Sequence, residues 1–411
     1  MTSKRVGIEK ARVYPTSMAL QMSKLCDARG HDLADIRDVM MIDERGVNPP
    51  WEDPVTMAVN AALPMLTEED KRSIELLIVG SESGVDQEKP MSTWVHRYLG
   101  LKSECRNFEL KHACYSGTAG LQLAASWVAS GVAGPNAKAL VITTDQSRMH
   151  FGKPWEFVMG AGSAALLVSA DPKLFEIELG KSGVFTHEVS DLTRPTSRVE
   201  TGNSETSLLS YLEALDNAVA HYLEKLSEPI AYDYFKKNIY HIPFGGMTQR
   251  ATRTALRHFG SFKKAEADAI WAEKTRPSLK HARRMGGTYA SSTFIAMLGL
   301  LDACSDLQHG DRLGMFSYGS GSCAEFYSGL VGPEAYEVAR AAGLGALLDD
   351  RYDLSVREYE EAERERTCYL DCGEFEPSTN GFGGWYDRHY RGKNYLVFQG
   401  IEDHYRRYGW S

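Results

Sequence analysis

Short apolar runs that stop at glycine or polar residues recur along the chain. IELLIV at 74–79 ends on Gly80, and ALVITT at 139–144 and SAALLVS at 163–169 have the same form. Runs of this length with turn signals at their ends predict buried strands. VGIEKARVY near the N-terminus predicts a first strand, and GTAGLQLAASWVASG predicts a buried helix from about Ser116 to Gly131. A second set follows: an amphipathic helix over 205–227, a strand at NIYHI, a helix after Gly246, an apolar helix over 289–302, and strands near GMFSYG and AEFYSGLV. Strands alternating with helices, with no low-complexity linker between the sets, predict an α/β protein of two similar halves packed together. The halves are placed at 1–172 and 173–411. From 351, RYDLSVREYEEAERER predicts a solvated helix face, and STNGFGGWYDRHYRGKNY reads as irregular loop without chemistry.

Composition narrows the class. The 411 residues carry 46 Lys and Arg against 55 Asp and Glu, a net charge of −9, with 43% hydrophobic residues. That balance excludes a disordered or collagen-like chain and argues against nucleic acid as the main partner. No run reaches the roughly 18 apolar residues of a membrane helix, and the basic N-terminus lacks the apolar centre of a signal peptide. Seven scattered cysteines without a CxxC predict a reduced, cytoplasmic protein without a zinc site.

Four places combine chemistry with a strand end or helix start. HACYSGTAG sets Cys114 just before the buried helix, where unpaired N–H groups and the helix dipole favour thiolate. A buried structural cysteine competes with that reading on even terms. IVGSESGVDQEKP sets Glu82 just past a strand, where ligands of α/β sheets gather. Partly desolvated there, its carboxylate would gain basicity; Asp86 and Glu88 are read as ordinary surface acids. YHIPFGGM sets His241 at the end of an apolar run, with His112 as its main rival because it lies two residues before Cys114. FSYGSGS runs a strand into a glycine turn whose N–H groups can hold an oxyanion.

The order Glu82, Cys114, His241, then GSG resembles the 3-hydroxy-3-methylglutaryl-CoA synthase family of the thiolase superfamily, over roughly residues 5–365. ESGVD, ACYSGTAG, HIPFGG and MFSYGSG carry the resemblance, supported by WEDPV, MSTWVHRYLGL and GAGSAALLVS. FELKHACYSGTAG and HIPFGGM look closest to the synthases that install β-branches in polyketides. The resemblance implies a thiolase-like layered αβαβα fold and a homodimer. It implies that Cys114 takes an acetyl group from a donor thioester and that Glu82 removes a proton from the acetyl methyl. The enolate adds to the β-carbonyl of a β-ketoacyl thioester held by His241, and hydrolysis frees Cys114. Ser320 and Cys114 would form the oxyanion hole. Both substrates would ride on phosphopantetheine of donor and acceptor acyl carrier proteins, with no metal or bound cofactor.

Two departures bear on the substrate. The family has an asparagine before the helix at Tyr289, where RMGGTYASS has Gly287, so the acceptor would be gripped differently. The stretch 143–163 is shorter than the branch pattern, which could admit propionyl in place of acetyl. Three alternatives differ in class: a β-ketoacyl synthase III-like condensing enzyme, whose pattern lacks ESGVD; the mevalonate synthase acting on CoA esters; and a catalytically weak carrier-binding scaffold. Charge adds one expectation. Residues 250–284 hold ten Lys and Arg against Glu266, Asp268 and Glu273, a local +7 in a chain that is otherwise −16. Arg250, Arg253, Arg257, Lys263 and Lys264 are therefore expected to dock an acidic carrier.

Overall fold

The computed structural model describes residues 5–411. Nine strands form one sheet: β1 (Gly7–Tyr14), β2 (Ile74–Gly80), β3 (Arg106–Leu110), β4 (Lys138–Gln146), β5 (Ala161–Ser169), β6 (Phe175–Thr186), β7 (Lys237–Tyr240), β8 (Arg312–Gly319) and β9 (Cys323–Val331). Their spatial order is β7-β8-β9-β6-β1-β5-β4-β2-β3. The two halves repeat one topology. β2 and β4 are parallel, while β4–β5 and β5–β1 are antiparallel. β7 and β8 are parallel, while β8–β9 and β9–β6 are antiparallel. Thus β1, β2, β4 and β5 correspond to β6, β7, β8 and β9, and β3 is the one strand without a counterpart in the sheet. The halves join where Gly7 and Ile8 of β1 pair with Glu176 and Phe175 of β6.

Alternating side chains sort the layers. From β2, Leu77 and Val79 face the outer helix α1 (Pro54–Ala62), whose residues are all buried. Leu76 and Ile78 face the central helix α2 (Ser116–Ser130). On the second half, α3 (Ser204–Glu224) and α4 (Met247–Leu256) pack outside, over Phe316, Tyr318 and Phe326. The apolar helix α5 (Ser292–Ala303) packs inside, over Ile239, Leu313 and Met315. Central helices α2 and α5 share one core between the two sheet halves, which is the αβαβα layering of the thiolase fold. A residue with positive φ stands three positions before each of them: Ala113 at 42° and Tyr289 at 49°.

The end of the chain departs from expectation. The charged segment does form a helix, α6 (Val356–Cys368), but one side of it is buried. Tyr359, Ala362, Glu363 and Arg366 face inward, and Arg366 donates to Gln146 Oε1 at 3.2 Å. The mean charge of the segment concealed a spacing of three to four residues that selects this face. The expected loop contains a short helix, Trp385–His389, followed by the fully buried Tyr390. The final hairpin, β10 (Leu396–Glu402) and β11 (Tyr405–Trp410), packs on α1 of the first half. Asn60 exchanges two hydrogen bonds with Leu396, 3.0 and 2.9 Å.

WEDPV is the anchor for this tail. Asp53 caps α1 by accepting from Val55 N and Thr56 N, and its second oxygen accepts from Tyr408 at 2.7 Å and pairs with Arg406 at 3.0 Å. Glu52 is wholly buried and accepts from the hydroxyls of Tyr14 and Tyr390. Burial outweighs those hydrogen bonds and lifts the Glu52 carboxyl to about 7.

A carboxyl raised in the folded state binds its proton there while the unfolded chain has lost it. Its contribution is therefore present at low pH and is lost as pH rises from about 4.5 to 7. Glu52→Gln should flatten the fall in unfolding free energy across that window by up to about 3 kcal/mol. Urea unfolding of both proteins at pH 5 and 7.5 measures this, and parallel pH dependence would show that Glu52 is not the group responsible.

Candidate active site

Equivalent strand ends of the two halves deliver the side chains. Glu82 lies two residues past β2, and His241 directly follows the corresponding β7. Asp145 lies at the end of β4, and Ser320 directly follows the corresponding β8. Cys114 lies two residues before α2. The two central helices therefore bring their N-terminal ends to the same place as the four strand ends.

Cys114 and Glu82 touch: Cys114 Sγ donates to Glu82 Oε2 at 3.4 Å. The loop carrying Glu82 is fixed from below by Asp145. A single oxygen of Asp145 accepts from Glu82 N at 2.9 Å, Ser81 Oγ at 3.0 Å and Ser83 Oγ at 2.9 Å. From above, a strap at 187–203 closes over the pair. Arg194 donates to the carbonyl of Glu82, lies 3.8 Å from its carboxylate and pairs with Glu200 at 2.9 Å. Burial, then the charge of Asp145, pushes the Glu82 carboxyl up, while Arg194 pulls it back.

The thiolate expected from the helix start is not the resting form. Burial raises the Cys114 thiol well above its usual value, and Glu82 and Asp145 raise it further. A helix start contributes about 0.3–1 kcal/mol in exposed settings, too little against the loss of water and an adjacent carboxylate. The pair therefore rests with the thiol proton retained, and Glu82 Oε2 is the hydrogen-bonded acceptor placed to take it.

His241 is buried, and desolvation lowers its imidazole to about 3, so the ring is neutral. Its Nδ1 lies 2.7 Å from Ser292 Oγ. Its main chain is pinned by a bond from His241 N to Phe316 O, 2.8 Å, and by Tyr211 O–H donating to His241 O, 2.8 Å. The rival His112 stands apart. The chain turns sharply at Ala113 rather than extending, so His112 and Cys114 do not share a strand face. The His112 ring packs edge-on against Tyr115, and its Nε2 has no partner among the described residues.

The GSG turn abuts the cysteine. A Cβ on Gly319 would lie 2.6 Å from His112 O and 2.8 Å from Tyr115 N, so only glycine allows this approach. Asp191 of the strap holds the turn by accepting from Tyr318 O–H at 2.8 Å and Gly321 N at 3.0 Å. Ser320, half-buried, sits at the apex between these contacts. Tyr289 is buried with its hydroxyl unpartnered among the described residues, and it feels the charges of Glu200, Arg194 and Glu82. Gly287 fills a backbone slot: its N donates to Val158 O at 2.7 Å, and its O accepts from Gly160 N at 2.9 Å. A Cβ there would stand 2.9 Å from Pro243 O, so the asparagine of the family pattern has no room in this backbone.

The basic window is smaller in space than in sequence. Arg283 is tied to Asp43 at 2.8 and 2.9 Å, Arg284 to Asp349 at 2.6 Å, and Arg253 to Asp268 at 2.6 Å. Arg250, Arg257, Lys263 and Lys264 remain exposed on and beside α4, which begins six residues after His241. Sequence reading missed Asp145, Asp191, Arg194, Glu200 and Ser292. Asp145 obeys the strand-end rule that selected Glu82. Arg194 and Glu200 lie on an irregular excursion with no periodic signal.

Relatives share this arrangement of elements. The family description "Hydroxymethylglutaryl-coenzyme A synthase C terminal" matches residues 255–409. The polyketide biosynthesis 3-hydroxy-3-methylglutaryl-ACP synthase PksG of Bacillus subtilis is 39% identical over 86% of this chain and 87% of its own length. The hydroxymethylglutaryl-CoA synthase of Enterococcus faecalis is 33% identical over 86% and 90%. The crystal structure of the curacin biosynthetic pathway HMG synthase superposes with a TM-score of 0.93 at 41% identity, covering 99% of this chain and 100% of that one. That synthase has also been solved with its donor ACP in holo, apo and acetyl forms. The fold and its relatives define a thiolase-fold enzyme of acyl transfer and condensation. More narrowly, the chain belongs to the hydroxymethylglutaryl-CoA synthase family. Among the described residues, no helix is long and apolar enough to cross a membrane.

Arg194 favours the ionised state of the Glu82–Cys114 pair, so removing its charge should make the pair harder to ionise. In Arg194→Gln, the pH at which iodoacetamide alkylates Cys114 at half its maximal rate should rise by about one unit, or ~1.4 kcal/mol. An unmoved profile would uncouple Arg194 from the pair.

Proposed function

We propose that the chain is a β-branching synthase of polyketide assembly, acting in the cytoplasm as a homodimer on carrier-bound acyl groups. The observation that carries this reading is the 3.4 Å contact between Cys114 and the half-buried, basicity-enhanced Glu82, with a neutral His241 on the other half. Cys114 sulfur attacks the donor thioester carbonyl, its proton passing to Glu82 and then to the departing pantetheine thiol. Glu82 next takes a proton from the methyl carbon of the acyl-Cys114 thioester. The enolate oxygen is held at the N–H groups of Cys114 and the Ser320 turn. Its carbon bonds to the β-carbonyl carbon of the acceptor, whose oxygen, held by His241, takes up the proton that Glu82 removed and becomes the tertiary hydroxyl. Water then cleaves the Cys114 thioester and leaves a carboxylate on the product.

Burial serves each step, because an enolate is affordable only where water is scarce and donors are prearranged. The strap at 187–203 and the packed backbone at Gly287 enclose the space. With no side chain at Gly287, the acceptor oxygen depends on His241 and Tyr289. The short 143–163 wall leaves acetyl and propionyl as the candidate donors. Carrier substrates are favoured over CoA because the higher identities are to the polyketide synthases. Exposed Arg250, Arg257, Lys263 and Lys264 supply the dock for the acidic carriers. The uncovered edge of β3, last in the sheet, supports pairing with a second copy.

Intact-mass measurement after mixing with acetyl-carrier protein tests this. Wild type should gain one acetyl group and Cys114→Ser none. Transfer should weaken with added salt, and this dependence should vanish when the four dock residues are reversed to Glu. Faster labelling from acetyl-CoA alone would favour the mevalonate synthase, and no adduct from either donor would reject Cys114 as nucleophile.

A further inference from the structure

We propose that Ser292 is a positioning residue that fixes His241 in one tautomer, with the ring proton on Nε2 facing the substrate space. The inference rests on the reading of His241 as the group that holds the acceptor carbonyl, and it assigns how that group is made a donor. Hydrogen positions follow here from counting donors and acceptors. Ser292 Oγ lies 2.7 Å from His241 Nδ1 and accepts from Ile242 N at 3.3 Å. Both Ser292 and His241 are buried.

Two arrangements are open. If Nδ1 carried the proton, Ser292 Oγ would accept twice, from Nδ1 and from Ile242 N. Its own hydroxyl proton would then have no acceptor among the described residues, and a buried donor left unpaired is costly. If Nδ1 is bare, the hydroxyl donates to it while Oγ accepts from Ile242 N. All three groups are then paired, and this arrangement is favoured. The ring proton must then sit on Nε2.

The consequence is chemical. A neutral imidazole with Nε2–H can only donate toward the substrate space. It can polarise a carbonyl and stabilise the growing alkoxide as an electrophile, but it cannot take a proton there. Base chemistry is thereby left to Glu82, and the two side chains, which follow equivalent strands, are kept in opposite roles. The adjacent Ser291 reaches the other half, where its Oγ lies 2.7 Å from Thr143 Oγ1 of β4. The first turn of α5 therefore sets the histidine proton, and Ser291, one residue earlier, ties the helix start to the strand that carries Asp145.

The test uses the full-length protein with ¹⁵N-labelled histidine, His241 being assigned by the signal lost in His241→Gln. Wild type should show a protonated Nε2 and a bare Nδ1 from pH 6 to 8. Ser292→Ala should give a mixture of tautomers, and Ser292→Thr, which keeps the hydroxyl, should restore Nε2–H. In Ser292→Ala, acetyl transfer to Cys114 should stay within about twofold of wild type while condensation kcat falls at least about tenfold; Ser292→Thr should recover most of it. A proton on Nδ1 in wild type overturns the proposal even if Cys114 is acylated normally. Loss of acylation in the unaltered protein would instead strike the functional reading and leave the tautomer result standing.

Discussion

A thiol and a carboxylate held 3.4 Å apart in a largely desolvated site constrain everything around them. Burial and then Glu82 raise the cost of ionising the thiol, and burial and then Asp145 raise that of the carboxyl, which the thiol's hydrogen bond only partly offsets. The structure supplies help from three sides. Asp145 spends one oxygen holding the main chain and the serines beside Glu82. Arg194 brings one positive charge, itself tempered by Glu200. The Gly319 turn and the start of α2 bring main-chain donors to the spot where negative charge would develop. An unopposed arginine would leave Glu82 a weak base. An unopposed Asp145 would leave it permanently protonated.

The repeated half explains how so many groups reach one place. Each half ends two equivalent strands at the site and starts one central helix there, preceded at the same offset by a residue with positive φ. One copy received Glu82, Cys114 and Asp145. The other received His241, Ser292 and the Ser320 turn. On the proposed mechanism, a fold with a single such half would offer a nucleophile and a base without a separate group for the acceptor. Repetition of the half, with different side chains at matched positions, places Glu82, Cys114 and Asp145 on one side of the site and His241 and Ser292 on the other.

Much of this was legible in the sequence, for identifiable reasons. Strand ends marked by Gly80 and by Pro243 with its glycines flagged Glu82 and His241, because strand termination and ligand approach occur together. Cys114 was visible through the small residues after it. What could not be read was whatever depends on distant partners. The buried face of α6 was hidden because Glu363 and Arg366 face Arg45 and Gln146, some two to three hundred residues away in sequence. Tyr390 lay in a segment without periodicity and gained meaning only from Glu52. The protonation of Cys114 was misjudged because local helix geometry is visible in sequence, whereas desolvation is a property of the assembled site. The basic window lost three of its ten cations when Arg253, Arg283 and Arg284 found carboxylates.

The central claim is that Glu82 removes a proton from the acyl group carried by Cys114. Hydrogen exchange at that methyl group isolates this step from docking, condensation and hydrolysis. The acetylated enzyme is placed in D2O without acceptor, quenched, and the mass of the Cys114 peptide is followed in time. Deuterium should enter the acetyl methyl of the wild-type enzyme, and acetylated Glu82→Gln should exchange slower by about 10² or more. Equal exchange in the two proteins would contradict the account, because it would leave Glu82 beside the thiol without a role in the proton transfer that begins the carbon–carbon bond.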